Sequence, residues 1–213
     1  NTDIGIGGAP TFRWRDVSET GENITSVSNG DDRIQTLDLP FDFQYYGETH
    51  DQVSVCSNGF ITIGDETWTG GSGFGHEQVI PHVGEAQGMI AAFWDDLNPR
   101  ESGDVYYMYD SIEHTFIIQY DRIGHFGYPS VQENFEIILY DPAYITTATG
   151  DGVIDISYHE LTYTSSNTVG IENYDENDGI QYVYWASYAR NAANLGYGRA
   201  IRFTTNPPEM NSP

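Results

Sequence analysis

Acidic and amide side chains gather in three short stretches of this sequence, each with the composition of a turn. Hard divalent cations need several oxygen ligands in a small volume, and loops rich in Asp and Asn supply them. The three stretches contain Asp95, Asp96 and Asn98 with Asp104 nearby; Asp175, Asn177 and Asp178; and Asp151 with Asp155. The alternative for each stretch is a solvated turn, because Asp and Asn favour turns without any metal.

The pair Asp95 and Asp96 differs from the other two stretches because it directly follows the apolar run at 90–94. Consecutive carboxylates at the end of a buried strand cannot both point into the core without hydrogen-bonding partners or a cation. We therefore expect a structural calcium ion that neutralises these two side chains.

Catalytic signatures are sparse. The sequence contains no GxSxG, HExxH, P-loop or CxxC motif. Glu133 and Glu136 flank a predicted strand, and such a pair of carboxylates could serve a β-sandwich hydrolase. In a chain with 32 acidic residues, however, a pair of this kind is expected by chance. We expect no enzymatic activity, with the hydrolase kept as an alternative.

Aromatic side chains in predicted loops suggest a different alternative, a carbohydrate-binding module. Flat exposed rings can stack on sugar rings, whereas most Tyr and Trp residues of a β-protein pack in the core or in cross-strand pairs. The candidate ligand-binding residues are Trp68, Phe74, Tyr128 and Trp185.

The charge balance limits the possible partners. There are 32 acidic residues against 8 basic ones, all of them Arg, which gives a formal net charge of −24. This field repels phosphate backbones and anionic membranes, so we expect no nucleic-acid partner. No run of 18 apolar residues is present, and we expect no membrane insertion.

The elements that must position these residues are strands. Alternating or short apolar runs recur between turn residues, as in Phe41-Asp42-Phe43-Gln44-Tyr45, and helical periodicity is nearly absent. The pattern predicts an all-β fold, an antiparallel, jelly-roll-like β-sandwich with long loops and little or no helix. We expect one domain at 11–204, between a flexible Gly-rich lead-in at 1–10 and a Pro-rich linker at 205–213.

Several phrases follow one another in a characteristic order: LPFDF at 39–43, SNGF at 57–60, FWDDL at 93–97 and VGIEN at 169–173. Together they resemble the nidogen-like extracellular domains, including modules found beside peptidase or sorting domains in large secreted bacterial proteins. The resemblance covers about residues 7–203. It implies a secreted or cell-surface β-sandwich with an adhesive, assembly or accessory role and no agreed catalytic residues. The implied partners are neighbouring domains of the same chain, with a glycan or a protein surface as a further candidate.

Overall fold

The computed structural model describes residues 10–65, 77–84 and 86–207. Within these ranges the chain forms two antiparallel β-sheets and one four-residue helix, α1 (Thr25–Ser28). Sheet A has the strand order β1 (Glu22–Asn23), β6 (Asp104–Asp110), β7 (Thr115–His125), β8 (Tyr128–Tyr140), β9 (Ile154–Leu161) and β13 (Arg199–Phe203). Sheet B has the order β12 (Ser187–Tyr188), β11 (Gly179–Tyr184), β10 (Thr168–Glu172), β5 (Met89–Trp94), β4 (Phe60–Ile63), β3 (Glu48–Cys56) and β2 (Ile34–Tyr45). The expected all-β sandwich is confirmed.

Successive strands are mostly neighbours in space. Strands β2 to β5 form one meander in sheet B, and β6 to β9 form another in sheet A. The turn at 57–59 joins β3 to β4, and of its residues only Gly59 has a positive φ, +79°. Asn followed by Gly is typical of a two-residue type I′ turn, but a single left-handed Gly after two other residues is typical of a three-residue hairpin loop.

The core lies between the two sheets and is rich in aromatic rings. Phe93 of sheet B stacks on Phe135 of sheet A with ring centroids 5.7 Å apart. Two buried tyrosines of sheet A also donate hydrogen bonds to backbone carbonyls of the opposite sheet or its turns, Tyr120 to Cys56 and Tyr158 to Ala92. The aromatic alternation seen in the sequence therefore faces a shared interior, as a one-sided strand requires.

The outer face of sheet A is covered in part by residues 10–20, which we call the N-terminal strap. Val17 packs against Ile117 and Ile138, and its backbone N–H donates to Oε1 of Gln119 at 2.6 Å. The ring of Trp14 lies 4.9 Å from that of His159. The strap thus forms a third layer over the middle strands of sheet A.

The outer face of sheet B is covered near β4 and β5 by the chain that precedes β5. Ile80 and Ala86 form a buried cluster with Phe60, Met89 and Trp94. This second small core explains why β5 is buried on both faces, as its continuous apolar sequence predicts. The expected lead-in at 1–10 and linker at 205–213 lie largely outside the described residues.

Helices are too short in the described part of the chain to cross a membrane.

Candidate functional site

Three carboxylates meet at one end of the sandwich. Asp31 and Asp32 lie in the loop between α1 and β2, and Asp96 follows β5. One oxygen from each side chain lies within 4.8 Å of the other two, and all three residues are partly buried. We call these three residues the carboxylate cluster. Among the described residues it is the only group of three His, Cys, Asp or Glu side chains close enough to share a metal ion.

Asn58, in the turn between β3 and β4, connects the two halves of this cluster. Its side-chain amide donates to Oδ1 of Asp32 at 2.8 Å, and its backbone carbonyl accepts the N–H of Asp95 at 3.3 Å. Asp32 itself adopts a positive φ of +50°, which Asp tolerates better than most residues. The hairpin therefore fixes the Asp31–Asp32 loop against the end of β5.

The three carboxylates of the cluster lie close enough to affect one another's protonation. Burial raises the pKa of Asp31 above its ordinary value, and the carboxylates of Asp32 and Glu101 raise it further, while Arg100 acts in the opposite direction. Oδ1 of Asp31 is buried and has no hydrogen-bond partner within the described ranges. Three hard oxygen donors that repel one another can bind a divalent ion or share protons.

Of the first predicted ligand set, Asp96 alone belongs to the carboxylate cluster. Asp95 points elsewhere, because its Oδ2 accepts the hydroxyl of Ser166 at 2.6 Å. Asp104 accepts a hydrogen bond from the side chain of Asn23 at 2.9 Å. Asn98 is buried close by, and its backbone N–H donates to the carbonyl of Gly124 at 2.8 Å. Asp31 and Asp32 are the ligand candidates that the sequence analysis did not single out.

The second predicted set lies at the opposite end of sheet B. Thr168 pairs with Trp94, so β10 runs away from the carboxylate cluster towards its turn with β11. In that turn Oδ1 of Asn173 accepts the backbone N–H groups of Asn177 and Asp178 at 3.0 and 3.1 Å. Asp175 and Asp178 are exposed there. The structure thus separates this set from Asp95, Asp96 and Asn98.

Two of the predicted ligand-binding aromatics, Tyr128 and Trp185, are exposed at the same end of the molecule as Asp96, with 69% and 57% of their surface accessible. Phe126 and Tyr163, which the sequence analysis did not select, are also exposed there. The backbone N–H of Phe126 donates to the carbonyl of Asp96 at 2.8 Å, which places this ring beside the carboxylate cluster. Trp68 and Phe74 lie outside the described residues.

A family model described as "NIDO related" matches residues 9–206, nearly the whole chain. The chain belongs to the nidogen-related family. This membership identifies it as an extracellular module, in agreement with the resemblance found in its motifs. No solved structure matches it.

Below the exposed rings of Phe126 and Tyr163, the nidogen-related domain has three buried ionisable side chains in contact with one another. His125 Nε2 lies 2.9 Å from Oε1 of Glu133, and its Nδ1 lies 3.7 Å from Oδ2 of Asp95. Asp95 follows β5 of sheet B, whereas His125 and Glu133 belong to sheet A. The contacts among these three side chains therefore join the two sheets. These three residues are scattered along the sequence, so their contact could not be predicted from it. The pairing of β7 with β8, which contains register shifts, brings His125 close to Glu133.

Glu133 and Glu136, considered above as a hydrolase pair, are both buried and hydrogen-bonded to backbone amides. Glu133 accepts the N–H groups of Thr162 and Tyr163 at 2.8 and 2.9 Å. Glu136 accepts the N–H of Arg15 in the N-terminal strap. Each carboxylate therefore holds a segment of chain in place.

Proposed function

We propose that this nidogen-related domain is a non-catalytic module for adhesion, assembly or accessory duty within a larger secreted or cell-surface protein, and that calcium stabilises it. The observation that carries the calcium proposal is the carboxylate cluster, in which Asp31 and Asp32 of one loop meet Asp96 of another. An ion bound there would hold together two segments that are distant in the sequence.

The overall charge supports a cation at this position. The chain carries 24 excess negative charges, and self-repulsion destabilises a compact state. Calcium accepts carboxylate, amide and backbone oxygens in flexible numbers, which suits ligands from irregular loops. The ion would offset repulsion among three carboxylates and order the loop that precedes β2, which is the first strand of its meander.

Thermal melting in calcium and in a calcium chelator, at equal ionic strength, tests the proposal. A ligand at about 100 times its Kd adds about 2.7 kcal/mol to stability, which for a domain of this size raises the Tm by about 5 to 10 °C. We expect this rise in the wild type and its loss in Asp32→Asn and Asp96→Asn. The matched control is Asp175→Asn/Asp178→Asn, which removes exposed carboxylates at the opposite end and should keep the rise.

Two results would contradict calcium at this site. Identical melting curves in calcium and in chelator would show that calcium does not stabilise the domain. If calcium still raises the Tm of Asp96→Asn but not that of the control variant, the ion binds in the turn between β10 and β11 and not at the carboxylate cluster.

The burial of Glu133 and Glu136, the carboxylate pair considered for a hydrolase, supports the non-catalytic part of the proposal. Glu133 and Glu136 are fully buried, and each binds backbone N–H groups of a neighbouring segment. A general acid or nucleophile must reach its substrate within hydrogen-bond distance, so neither side chain is positioned for that role.

Carbohydrate binding is the second candidate function, and one specific observation favours it. Four aromatic residues, Phe126, Tyr128, Tyr163 and Trp185, are exposed at the end of the sandwich that carries the carboxylate cluster. A glycan array with the wild type and with Tyr128→Ala/Trp185→Ala tests this alternative. Binding that the double variant loses would support it, and absence of binding by the wild type would eliminate it.

A further inference from the structure

A groove of about 440 Å³ runs along one side of the sandwich, where the edges of the two sheets come together. One wall is formed by β1 and β6, at the edge of sheet A, and the other by β2, the edge strand of sheet B. Strand β2 leaves its partner β3 here, since the register of their pairing shifts between Asp38 and Phe43. The groove is therefore built by the fold and shares no residue with the carboxylate cluster.

Apolar and aromatic residues form the floor and part of the sides of the groove. Leu39 and Phe116 are buried in its floor. The ring of Tyr107 packs on Phe116 with centroids 5.6 Å apart, and Tyr109 packs on Phe41 at 6.1 Å. These contacts fix the orientation of both tyrosine rings, which are only partly buried. A ligand in the groove would meet preorganised π-faces.

Two exposed acidic residues line opposite walls of this groove, Glu22 on β1 and Asp38 on β2. Both are positioned by neutral groups. The hydroxyl of Tyr107 donates to Oε2 of Glu22 at 2.7 Å, and the amide of Gln52 donates to Oδ1 of Asp38 at 2.9 Å. Among the described residues that line the groove, none is basic. Each wall therefore contains one acidic residue, and no basic residue among the described lining residues offsets this charge.

We propose that this groove binds lysine or arginine side chains presented by an extended basic segment of a partner protein. A side chain of this kind has an apolar stem that fits the floor and a cationic head that is attracted by carboxylates and aromatic faces. The walls are edge strands, and an extended segment can lie along such edges.

The composition of the chain indicates that the cation comes from another protein. The domain has no Lys and only eight basic residues among 213, so a second copy is a poor source of positive charge. Its excess negative charge also speeds encounter with a basic partner. The inference adds a partner class to the proposed assembly role and does not depend on calcium.

Fluorescence anisotropy with a labelled peptide of alternating Arg and Ser residues tests the proposal, with the Gln-Ser counterpart as the neutral probe. The titration is done at about 0.15 M salt, which screens attraction to distant charges. We expect Glu22→Gln/Asp38→Asn to weaken binding of the Arg-Ser peptide about fivefold to tenfold, from the loss of two exposed charge pairs. Asp175→Asn/Asp178→Asn removes the same charge elsewhere and should weaken it less than about twofold.

Backbone amide NMR spectra of the complex locate the peptide directly. Shifts at Gly21, Leu39 and Met108 would support the proposal, and shifts concentrated at the carboxylate cluster would overturn it. Equal weakening in both double variants would also overturn it, since that result reports diffuse attraction. So would equal affinity for the Gln-Ser peptide, or a concentration-dependent dimer that Glu22→Gln/Asp38→Asn abolishes.

Discussion

The backbone N–H of Arg15 donates a hydrogen bond across 3.3 Å to Oε2 of Glu136, a fully buried side chain on the outer face of sheet A. Burial raises the pKa of this carboxyl from its ordinary value to about 8; the bond from Arg15, the charge of Arg15 and a bond from Ser157 oppose the rise, and Asp155 adds to it. Asp155 is itself paired with Arg202 at 2.7 Å. The strap thus rests on a carboxyl group that is neutral in mildly acidic solution.

This arrangement predicts how stability depends on pH. Because the pKa of Glu136 is higher in the folded than in the unfolded protein, the folded state binds more protons between about pH 4.5 and pH 8. Its contribution to the free energy of unfolding is therefore full below that window and falls as the pH rises through it. Glu136→Gln keeps the buried group neutral, so above pH 8 this variant should be more stable than the wild type by about 2 to 4 kcal/mol.

Urea unfolding at several pH values measures this difference. The quantity to follow is the free energy of unfolding of Glu136→Gln minus that of the wild type, which should grow between pH 5 and pH 8. Glu160→Gln, at an exposed carboxylate of the neighbouring β9, is the control for loss of one negative charge. A difference that stays constant over this range would show that Glu136 is ionised throughout.

Gly59 is predicted to be one of the least replaceable residues of the domain. It has φ +79°, and a Cβ placed on it would lie 2.0 Å from the carbonyl oxygen of Phe93. Its own carbonyl accepts the N–H of Phe93 at 2.9 Å, so the two backbones cannot separate without breaking that bond. Gly59→Ala adds the cost of a left-handed conformation to that of a clash, about 3 kcal/mol or more in total.

Gly47 provides the matched control for Gly59. It has a similar φ of +84°, but nothing lies within 4 Å of a Cβ added there. Gly47→Ala should therefore cost only about 1 to 2 kcal/mol. Thermal melting should show a fall of about 10 °C for Gly59→Ala and about 3 °C for Gly47→Ala. Equal decreases in Tm would mean that the loop at 57–59 relaxes and that the close approach to Phe93 does not destabilise Gly59→Ala.

The strands of this domain could be predicted from the sequence because their signal is local. Phe41, Phe43 and Tyr45 alternate with polar residues, and the structure places them in the 12-residue strand β2. The turn at 57–59 was also visible, because Asn followed by Gly marks a hairpin. The family motifs gave the same fold independently of the periodicity, and the family match agrees with them.

The composition of the carboxylate cluster could not be predicted in the same way. Asp95 and Asp96 look equivalent in the sequence, but one turns to Ser166 and the other to the loop before β2. The partners Asp31 and Asp32 lie more than sixty residues earlier, and they come into place through the side chain of Asn58. These contacts depend on how three loops pack against one another, and a short-range sequence pattern does not indicate such packing.

Cys56 should be unreactive in the folded protein. The residue has no exposed surface, and burial raises the pKa of its thiol to about 12, so almost no thiolate is present at neutral pH. Since the thiolate is the reactive form, a thiol reagent should not label the native domain, whereas it should label the unfolded chain completely. Rapid labelling without denaturant would show that the turn at 57–59 opens readily.

The hydroxyl of Tyr120 contacts the same turn from the opposite sheet. It lies 2.7 Å from the carbonyl oxygen of Cys56 and 2.9 Å from that of Phe60, and the tyrosine is fully buried. Tyr120→Phe keeps the ring and its packing but leaves two buried carbonyl groups without this donor. The expected loss is about 1 to 3 kcal/mol in the free energy of unfolding, measured with urea at a pH well below the pKa of tyrosine.

Two further variants make this result specific to the link between sheets. Tyr158→Phe removes the donor to the carbonyl of Ala92 at 2.6 Å and should cost a similar amount, because it also connects sheet A with sheet B. Tyr128→Phe removes a hydroxyl from an exposed ring and should leave stability unchanged within about 0.5 kcal/mol. Both buried hydroxyls donate to backbone carbonyls, and a side-chain substitution in sheet B does not remove a backbone acceptor. The test therefore has to be made on the tyrosines. Equal stabilities for all three variants would show that these two hydrogen bonds add nothing to the stability that packing between the sheets provides.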